Sequence, residues 1–443
     1  MGKLTNFFTN LMKKYMPDPF VFAIGLTILT FILALLIEDI SFTQLTTAWG
    51  DGFWDLLAFT TQMAVILVFG YVLATAPATD KLLNKIASKV QSPKTAVIVA
   101  TLVGAIGSYL NWGFGLVVGG IIAKKLAIRV KGVHYPLIIA AAYSGFTFYG
   151  LGLSASIPIL ISTPGHFLEG EMGLINLAET IFSLPMIILT IVLLIVLPIF
   201  NAMLHPKDPK NVIEINPELY AEPQGEKPKL LEDNTFATKL NNSKILAYTI
   251  GILGIVYSIF YFVNGNSLNL NIINFIILFL GILLLGTPAR YVEHINDGIK
   301  TVSGIILQFP FYAGIMAIMA ASGLVDTIAH LFVNISTEHT LSFWGLISSF
   351  FINFFAPSAG GHWTVQGPFM IDAAQSLGAS VAQNSMAVML GNAWNDIVQP
   401  FWILPALALS RLKLKDIMGY LVMIMLFVGI FYIAAILCWS YLF

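Results

Sequence analysis

The side chains able to do chemistry inside the long apolar stretches of this sequence fall in pairs. Asn111 opens the run Asn111-Trp-Gly-Phe-Gly115, and Asn353 precedes Pro357-Ser-Ala-Gly-Gly-His-Trp363. An asparagine followed by glycines suits the tip of a broken helix. The amide caps a helix end or meets a ligand, while glycine permits left-handed turns and close backbone approach. His362 is the one histidine assigned to such a tip, where an ionisable group is costly to bury and marks function; the alternative is a neutral imidazole bonded to a nearby carbonyl. A second pair of interruptions lies at Gly150–Pro158, with Ser154 and Ser156, and at Asn392–Pro400, with Asn392, Asn395, Asp396 and Gln399. Each proline removes a backbone donor and blocks the preceding turn. Hydroxyls and opened helix N-termini suit an anion, and carbonyl-rich C-termini suit a cation. The candidate substrate contacts are therefore Asn111, Gly113, Gly115, Ser154, Ser156, Asn353, Ser358, Gly360, Gly361, His362, Trp363 and Gln366. The candidate cation-coupling residues are Asp396, Asn392, Gln399 and His362, with Asp396 alternatively capping its helix. Trp112, Trp363, Trp394 and Trp402 are candidates to wall an apolar pocket or to sit at the lipid interface.

Other chemistries lack their residues. There is no Walker A motif, no HExxH and no pair of carboxylates at catalytic spacing, which argues against a pump or an enzyme. The single cysteine, Cys438, supports neither a disulfide framework nor a thiolate metal site. A net charge of −1 gives nucleic acid no footing. No cofactor is expected beyond Na⁺ or H⁺ as a coupling ion.

The elements that carry these residues must lie in a bilayer. Hydrophobic residues make up 57% of the 443 positions and charged residues 10%, against about 25% charged in a soluble domain. Mean hydropathy is +0.84. Stretches such as 174–204 and 417–443 exceed the ~20 residues that cross a membrane. The halves also repeat. Asp51-Gly52, Gln62 and Asp80 recur as Asp297-Gly298, Gln308 and Asp326, and Asn111, Gly119 and Pro158 recur as Asn353, Gly361 and Pro400.

Placing basic residues on the cytoplasmic side then threads the chain. The first repeat spans 1–204, starts inside, and holds a re-entrant hairpin over about 94–130. The limb Leu116–Ala123 is too short to cross. A solvated cytoplasmic linker follows over 205–243, then an extra crossing over 244–263. The second repeat spans 264–443, with a hairpin over about 341–380 entered from outside. The expected fold is an all-α polytopic membrane protein of inverted repeats, with about nine crossings and two opposed hairpins. All 22 Lys and Arg fall inside, and the C-terminus falls outside. Paired broken helices facing each other at mid-membrane are the mark of alternating-access carriers.

Asp51-Gly-Phe-Trp54, Asn111-Trp-Gly-Phe-Gly-Leu-Val117, Pro357-Ser-Ala-Gly-Gly-His-Trp363, Gln366-Gly-Pro368 and Gln399-Pro-Phe-Trp402 resemble the bacterial short-chain fatty acid transporter family. The resemblance runs essentially end to end. It implies uptake of monocarboxylates such as acetoacetate or butyrate across the bacterial inner membrane. It also implies an elevator-type carrier fold of the ion-transporter superfamily, dimeric, working by symport. Ala359 stands where a third glycine is expected, and Asp396 is more acidic than its position usually is. No Lys or Arg lies within a span, which favours a monoanion over a dicarboxylate. The competing functions are a C4-dicarboxylate carrier of the same superfamily and a passive anion channel. Asp396 with the carbonyl-rich tips suits Na⁺, whereas His362 suits H⁺.

Overall fold

The computed structural model describes residues 19–164, 166, 168–216, 235–266, 268, 270–324, 327, 333–354, 359–399 and 402–442. Among these residues every regular element is helical. In chain order the principal ones are α1 (Pro19–Ile37), α2 (Phe42–Gly52), α3 (Leu57–Thr75), α4 (Pro77–Ser88), α5 (Pro93–Leu110), α6 (Trp112–Arg129) and α7 (Tyr135–Ser144). A 3₁₀ segment (Gly145–Leu151) leads to α8 (Ser156–Ile161), then α9 (Leu184–Met203), α10 (Lys244–Val263), α11 (Leu270–Leu285), α12 (Pro288–Ile299) and α13 (Ser303–Ser322). The chain ends with α14 (Leu341–Ile352), α15 (Ala359–Leu377), α16 (Val381–Asp396), α17 (Leu404–Ser410) and α18 (Leu414–Leu442). Local chemistry sets the starts. Ser92, Ser243, Thr287 and Ser380 each accept a first-turn N–H, and Pro93 and Pro288 open α5 and α12. Among the described residues six helical stretches are long and apolar enough to cross a bilayer, or up to seven if the bent α3–α4 pair is one span.

The two halves pack reciprocally. α3 lies against α11 and α12, while α13, its counterpart at the repeat offset, lies against α1 and α2. Individual contacts follow the same exchange. A Cβ added to Gly52 would meet Ala317 at 2.3 Å, and one added to Gly298 would meet the Tyr71 ring at 3.3 Å. Gly298 is Gly52 shifted by 246, and Ala317 is Tyr71 shifted by the same interval (298 − 52 = 317 − 71). The repeated Asp-Gly pairs thus sit where the halves touch.

α5 and α6 form a tight antiparallel hairpin about Asn111. A Cβ on Gly107 would lie 2.9 Å from Gly115 Cα, and one on Gly119 would lie 3.3 Å from Gly104 Cα. The second limb differs from expectation. α6 is an 18-residue helix, rising about 27 Å, because it continues past Ala123 through Lys124 and Lys125 to Arg129. The first break also shifts. It occupies Gly152–Ala155, and Pro158 is the third residue of α8, where its missing N–H forfeits no intrahelical bond. The start of the expected linker is docked rather than solvated. Tyr135 N donates to Ile213 O at 2.7 Å, Ile213 N donates to His134 Nδ1 at 3.0 Å, and Ile215 is buried. Residues 217–234 of that linker lie outside the described residues.

Candidate functional site

Asp396, the last residue of α16, is fully buried together with Asn353, Asn392, Asn395 and Gln399. α14 supplies Asn353 at its C-terminal end and packs along α16; the 3₁₀ segment of the other half supplies Tyr149. Tyr149 Oη lies 2.6 Å from Asp396 Oδ2 and 2.8 Å from Asn392 Oδ1. Asn353 Nδ2 donates to Asp396 Oδ1 at 2.8 Å and to Asn395 Oδ1 at 3.0 Å. Asn392 Nδ2 donates to Asn353 Oδ1. Gln399 Nε2 donates to Asn353 O at 3.0 Å, and Tyr143 Oη donates to Asp396 O at 2.6 Å. Gln399 Oε1 and Asn395 Nδ2 are buried without a hydrogen-bond partner. Among the described residues no Lys, Arg or His pairs with Asp396. A lone buried charge of that kind is expensive unless it is neutralised.

Aromatic rings close one side. Phe146 stacks on Tyr149 with centroids 4.6 Å apart, and Trp402 lies 5.7 Å from Phe146 and 5.2 Å from Trp112. Trp112, Trp363 and Trp402 are buried, so these indoles line the interior rather than the lipid interface. Trp394 instead donates to Met425 O at 2.8 Å.

The tip of the first hairpin is built differently. Asn111 Oδ1 accepts from Phe114 N at 3.0 Å, so Asn111 caps α6, and Trp112 N donates to Ser154 Oγ at 3.0 Å. Asn111 Nδ2 and Ser108 Oγ are left buried without a partner. Gly113 and Gly115 permit close approach as expected, with Cβ positions 2.9 Å from Ile66 O and 2.2 Å from Ser108 N. Neither takes a left-handed conformation; both are helical, as are Gly360 and Gly361 in the first turn of α15. The left-handed turns expected of these four glycines are therefore replaced by helix starts. Ser156 begins α8 and is half-buried.

His362 and Trp363 follow in the same first turn of α15, both fully buried. His362 Nε2 is bonded to Gln366 Oε1, one helical turn on. Gln366 Nε2 donates to Ser348 Oγ at 2.8 Å and to Gly345 O at 3.3 Å on α14. Its oxygen is thereby turned to the imidazole, which must present Nε2–H. The His362–Gln366 pair and the Asp396 group use different stretches of α14, five to eight residues apart, or about 8–12 Å along the axis. Ser358 lies outside the described residues. Tyr149 and Tyr143, which reach Asp396 from the other half, are not among the candidates read from the sequence; the one signal there is that both tyrosines lie just ahead of the Gly150–Pro158 interruption.

The family model for short-chain fatty acid transporters matches residues 1–439. A protein of Escherichia coli is 42% identical over 434 residues, covering 98% of each chain. One of Haemophilus influenzae is 42% identical over 435 residues, covering 96% of this chain and 97% of its own. Both are provisionally named short-chain fatty acid transporters. The crystal structure of the Alcanivorax borkumensis YdaH transporter superposes with a TM-score of 0.50 at 14% identity, over 96% of this chain and 98% of that one. That likeness extends to the fold alone.

Proposed function

The chain belongs to the short-chain fatty acid transporter family, and on that premise we propose that it is a secondary active carrier of monocarboxylates such as acetoacetate and butyrate. It works by cation symport across the bacterial cytoplasmic membrane. The observation that carries the coupling is Asp396: a buried carboxylate without a basic partner, held where a hairpin tip meets a broken helix. Such a group has to take up a cation or a proton when it leaves water, and so links the energy of an ion gradient to the state of the protein.

The substrate carboxylate is assigned to the hairpin tips. Asn111 Nδ2 and Ser108 Oγ are unpaired donors beside the α6 N-terminus, a position that favours negative charge. His362, in the first turn of α15, supplies the corresponding group in the second half, and the indoles of Trp112 and Trp402 face the short acyl chain. Reciprocal packing of the halves supports inverted repeats; the family resemblance suggests two opposed hairpins moving as an elevator within a homodimer, and the distribution of basic residues an N-terminus in the cytoplasm and a C-terminus outside.

The test is uptake of labelled butyrate by purified protein in proteoliposomes, with Na⁺ and H⁺ gradients imposed separately. Accumulation against the butyrate gradient under one of them is the expected result. Equilibration under both would replace the carrier by a channel.

A further inference from the structure

Four side chains around Asp396 close a ring of hydrogen-bond contacts. Tyr149 Oη meets Asp396 Oδ2 at 2.6 Å, Asp396 Oδ1 meets Asn353 Nδ2 at 2.8 Å, Asn353 Oδ1 meets Asn392 Nδ2, and Asn392 Oδ1 returns to Tyr149 Oη at 2.8 Å. Each contact is of hydrogen-bonding length or shorter, and each needs one proton between its heavy atoms. A phenol offers one. Each asparagine enters the ring by both ends, one donating and one accepting, and so offers one. Three donors serve four contacts. The count does not depend on which way either amide is turned, because a flip exchanges its ends without adding a donor.

We propose that Asp396 supplies the fourth proton: the closed ring is a proton-binding site, and the carrier is coupled to H⁺ rather than Na⁺. With an ionised carboxylate, one of the contacts would set two acceptors against each other in a site excluded from water, where an unmade hydrogen bond is most costly. With the acid, Asp396 donates to Tyr149 Oη, Tyr149 donates to Asn392, Asn392 to Asn353 and Asn353 back to Asp396, all in one sense. The surroundings supply no competing charge. The titratable groups facing Asp396 are Tyr143, Tyr149 and Tyr432. On the packed helices, α14 and α8 carry no titratable side chain, and His362 of α15 is engaged by Gln366. A Na⁺ ion would need oxygens turned inward, but both Nδ2 hydrogens of Asn353 are directed at Asp396 and its neighbour Asn395. Ionisation removes one proton and breaks the ring at one link. Since Tyr149 belongs to the first half and the other three to the second, ionisation leaves the Tyr149 hydroxyl one hydrogen bond between the halves instead of two.

The consequence for coupling rests on the transport reading; the protonation itself does not. Infrared spectra of the purified full-length protein at neutral pH, in H₂O and D₂O, should show a deuteration-sensitive C=O band of a protonated carboxyl. Asp396→Asn should lose that band completely yet keep its melting temperature, because an amide supplies the missing donor in the same place. Tyr149→Phe should shift the band by removing the acceptor of the acid. Na⁺ should leave the melting temperature of the wild type unchanged. An ionised Asp396 at neutral pH, a band unmoved in Tyr149→Phe, or stabilisation by Na⁺ that Asp396→Asn abolishes would each overturn the proposal. Failure of reconstituted protein to accumulate monocarboxylates would overturn the transport reading instead and leave the band in place.

Discussion

Ser154 and Asp396 occupy equivalent positions in the two halves, 242 residues apart, the same interval that separates Asn111 from Asn353 (396 − 154 = 353 − 111). Each reaches the tip of the hairpin in its own half. Ser154 Oγ accepts from Trp112 N beside Asn111, and Asp396 Oδ1 accepts from Asn353 Nδ2. One architecture thus presents a neutral hydroxyl in the first half and an ionisable carboxyl in the second. On the proposed reading, the first-half tip, with its helix N-terminus and unpaired Asn111 Nδ2, takes an anion, and the second-half junction a proton.

That division predicts substrate choice. Among the described residues no Lys or Arg pairs with this region, so a second substrate carboxylate would be buried without compensation, at a cost of several kcal/mol. Butyrate and acetoacetate should compete for labelled butyrate uptake at least ~10-fold better than succinate or citrate. Preferential competition by a dicarboxylate would assign the chain a different anion.

Acid should weaken the N-terminal end of α7 through His134. Burial, assisted by His205, lowers its pKa from 6.5 to about 4. Geometry agrees: Nδ1 accepts from Ile213 N at 3.0 Å, leaving Nε2–H to donate to the Tyr420 hydroxyl at 2.8 Å. Because the folded value lies below the unfolded one, the stabilisation is complete above 6.5 and is lost as pH falls towards 4. The melting temperature of the wild type should drop across that window. His134→Asn should melt lower at neutral pH but with a flatter pH dependence.

Much of this was legible in the sequence, and the failures have physical causes. Helix breaks are written in Gly, Pro and Asn, so α5 ends at Asn111 and the first interruption falls at Gly152–Ala155, near where their residues indicate. Lys124 and Lys125 extend polar heads from apolar stems, so a count of apolar residues stops at Ala123 while the helix runs on to Arg129. Gly113 and Gly115 announced close approach, but glycine identity alone cannot separate a left-handed turn from a helix start pressed on a neighbour. The Tyr149–Asp396 contact spans 247 residues. No local pattern encodes it, and it exists only because the two halves fold against each other.

Sidedness follows from the basic residues. In a Cys438→Ala background, a cysteine at Gly170, where an added side chain meets nothing within 4 Å, should react with impermeant thiol reagent on whole cells. One at Lys229 should react only after permeabilisation. Labelling of Lys229→Cys from outside would reverse the threading.

The packing of α5 against α7 should be intolerant of a single methyl group. A Cβ on Gly104 would stand 2.2 Å from Ala142 O, a backbone atom that cannot swing away. Gly104→Ala should therefore destabilise by about 1–3 kcal/mol, read as a lower melting temperature in detergent. Gly50→Ala, where nothing lies within 4 Å, should be neutral or stabilising by up to about 1 kcal/mol.

His362 and Asp396 can be separated by what each substitution removes. The sequence alone made His362 the natural proton carrier, since a bound carboxylate beside an imidazole recruits a proton. In the fold its Nε2 is committed to Gln366 Oε1, whose amide is fixed in turn by Ser348 and Gly345. Glutamine at 362 can offer an N–H to the same oxygen, so His362→Gln should keep the fold and keep accumulation driven by a proton gradient, with a raised KM if the imidazole contacts substrate. Asp396→Asn should do the opposite. It holds the ring in its protonated form, so downhill exchange of labelled substrate continues while accumulation under a pH gradient is lost. Both variants are to be assayed in the same proteoliposomes for counterflow and for net uptake. Loss of proton-driven accumulation in His362→Gln, together with its retention in Asp396→Asn, would transfer the proton to the imidazole.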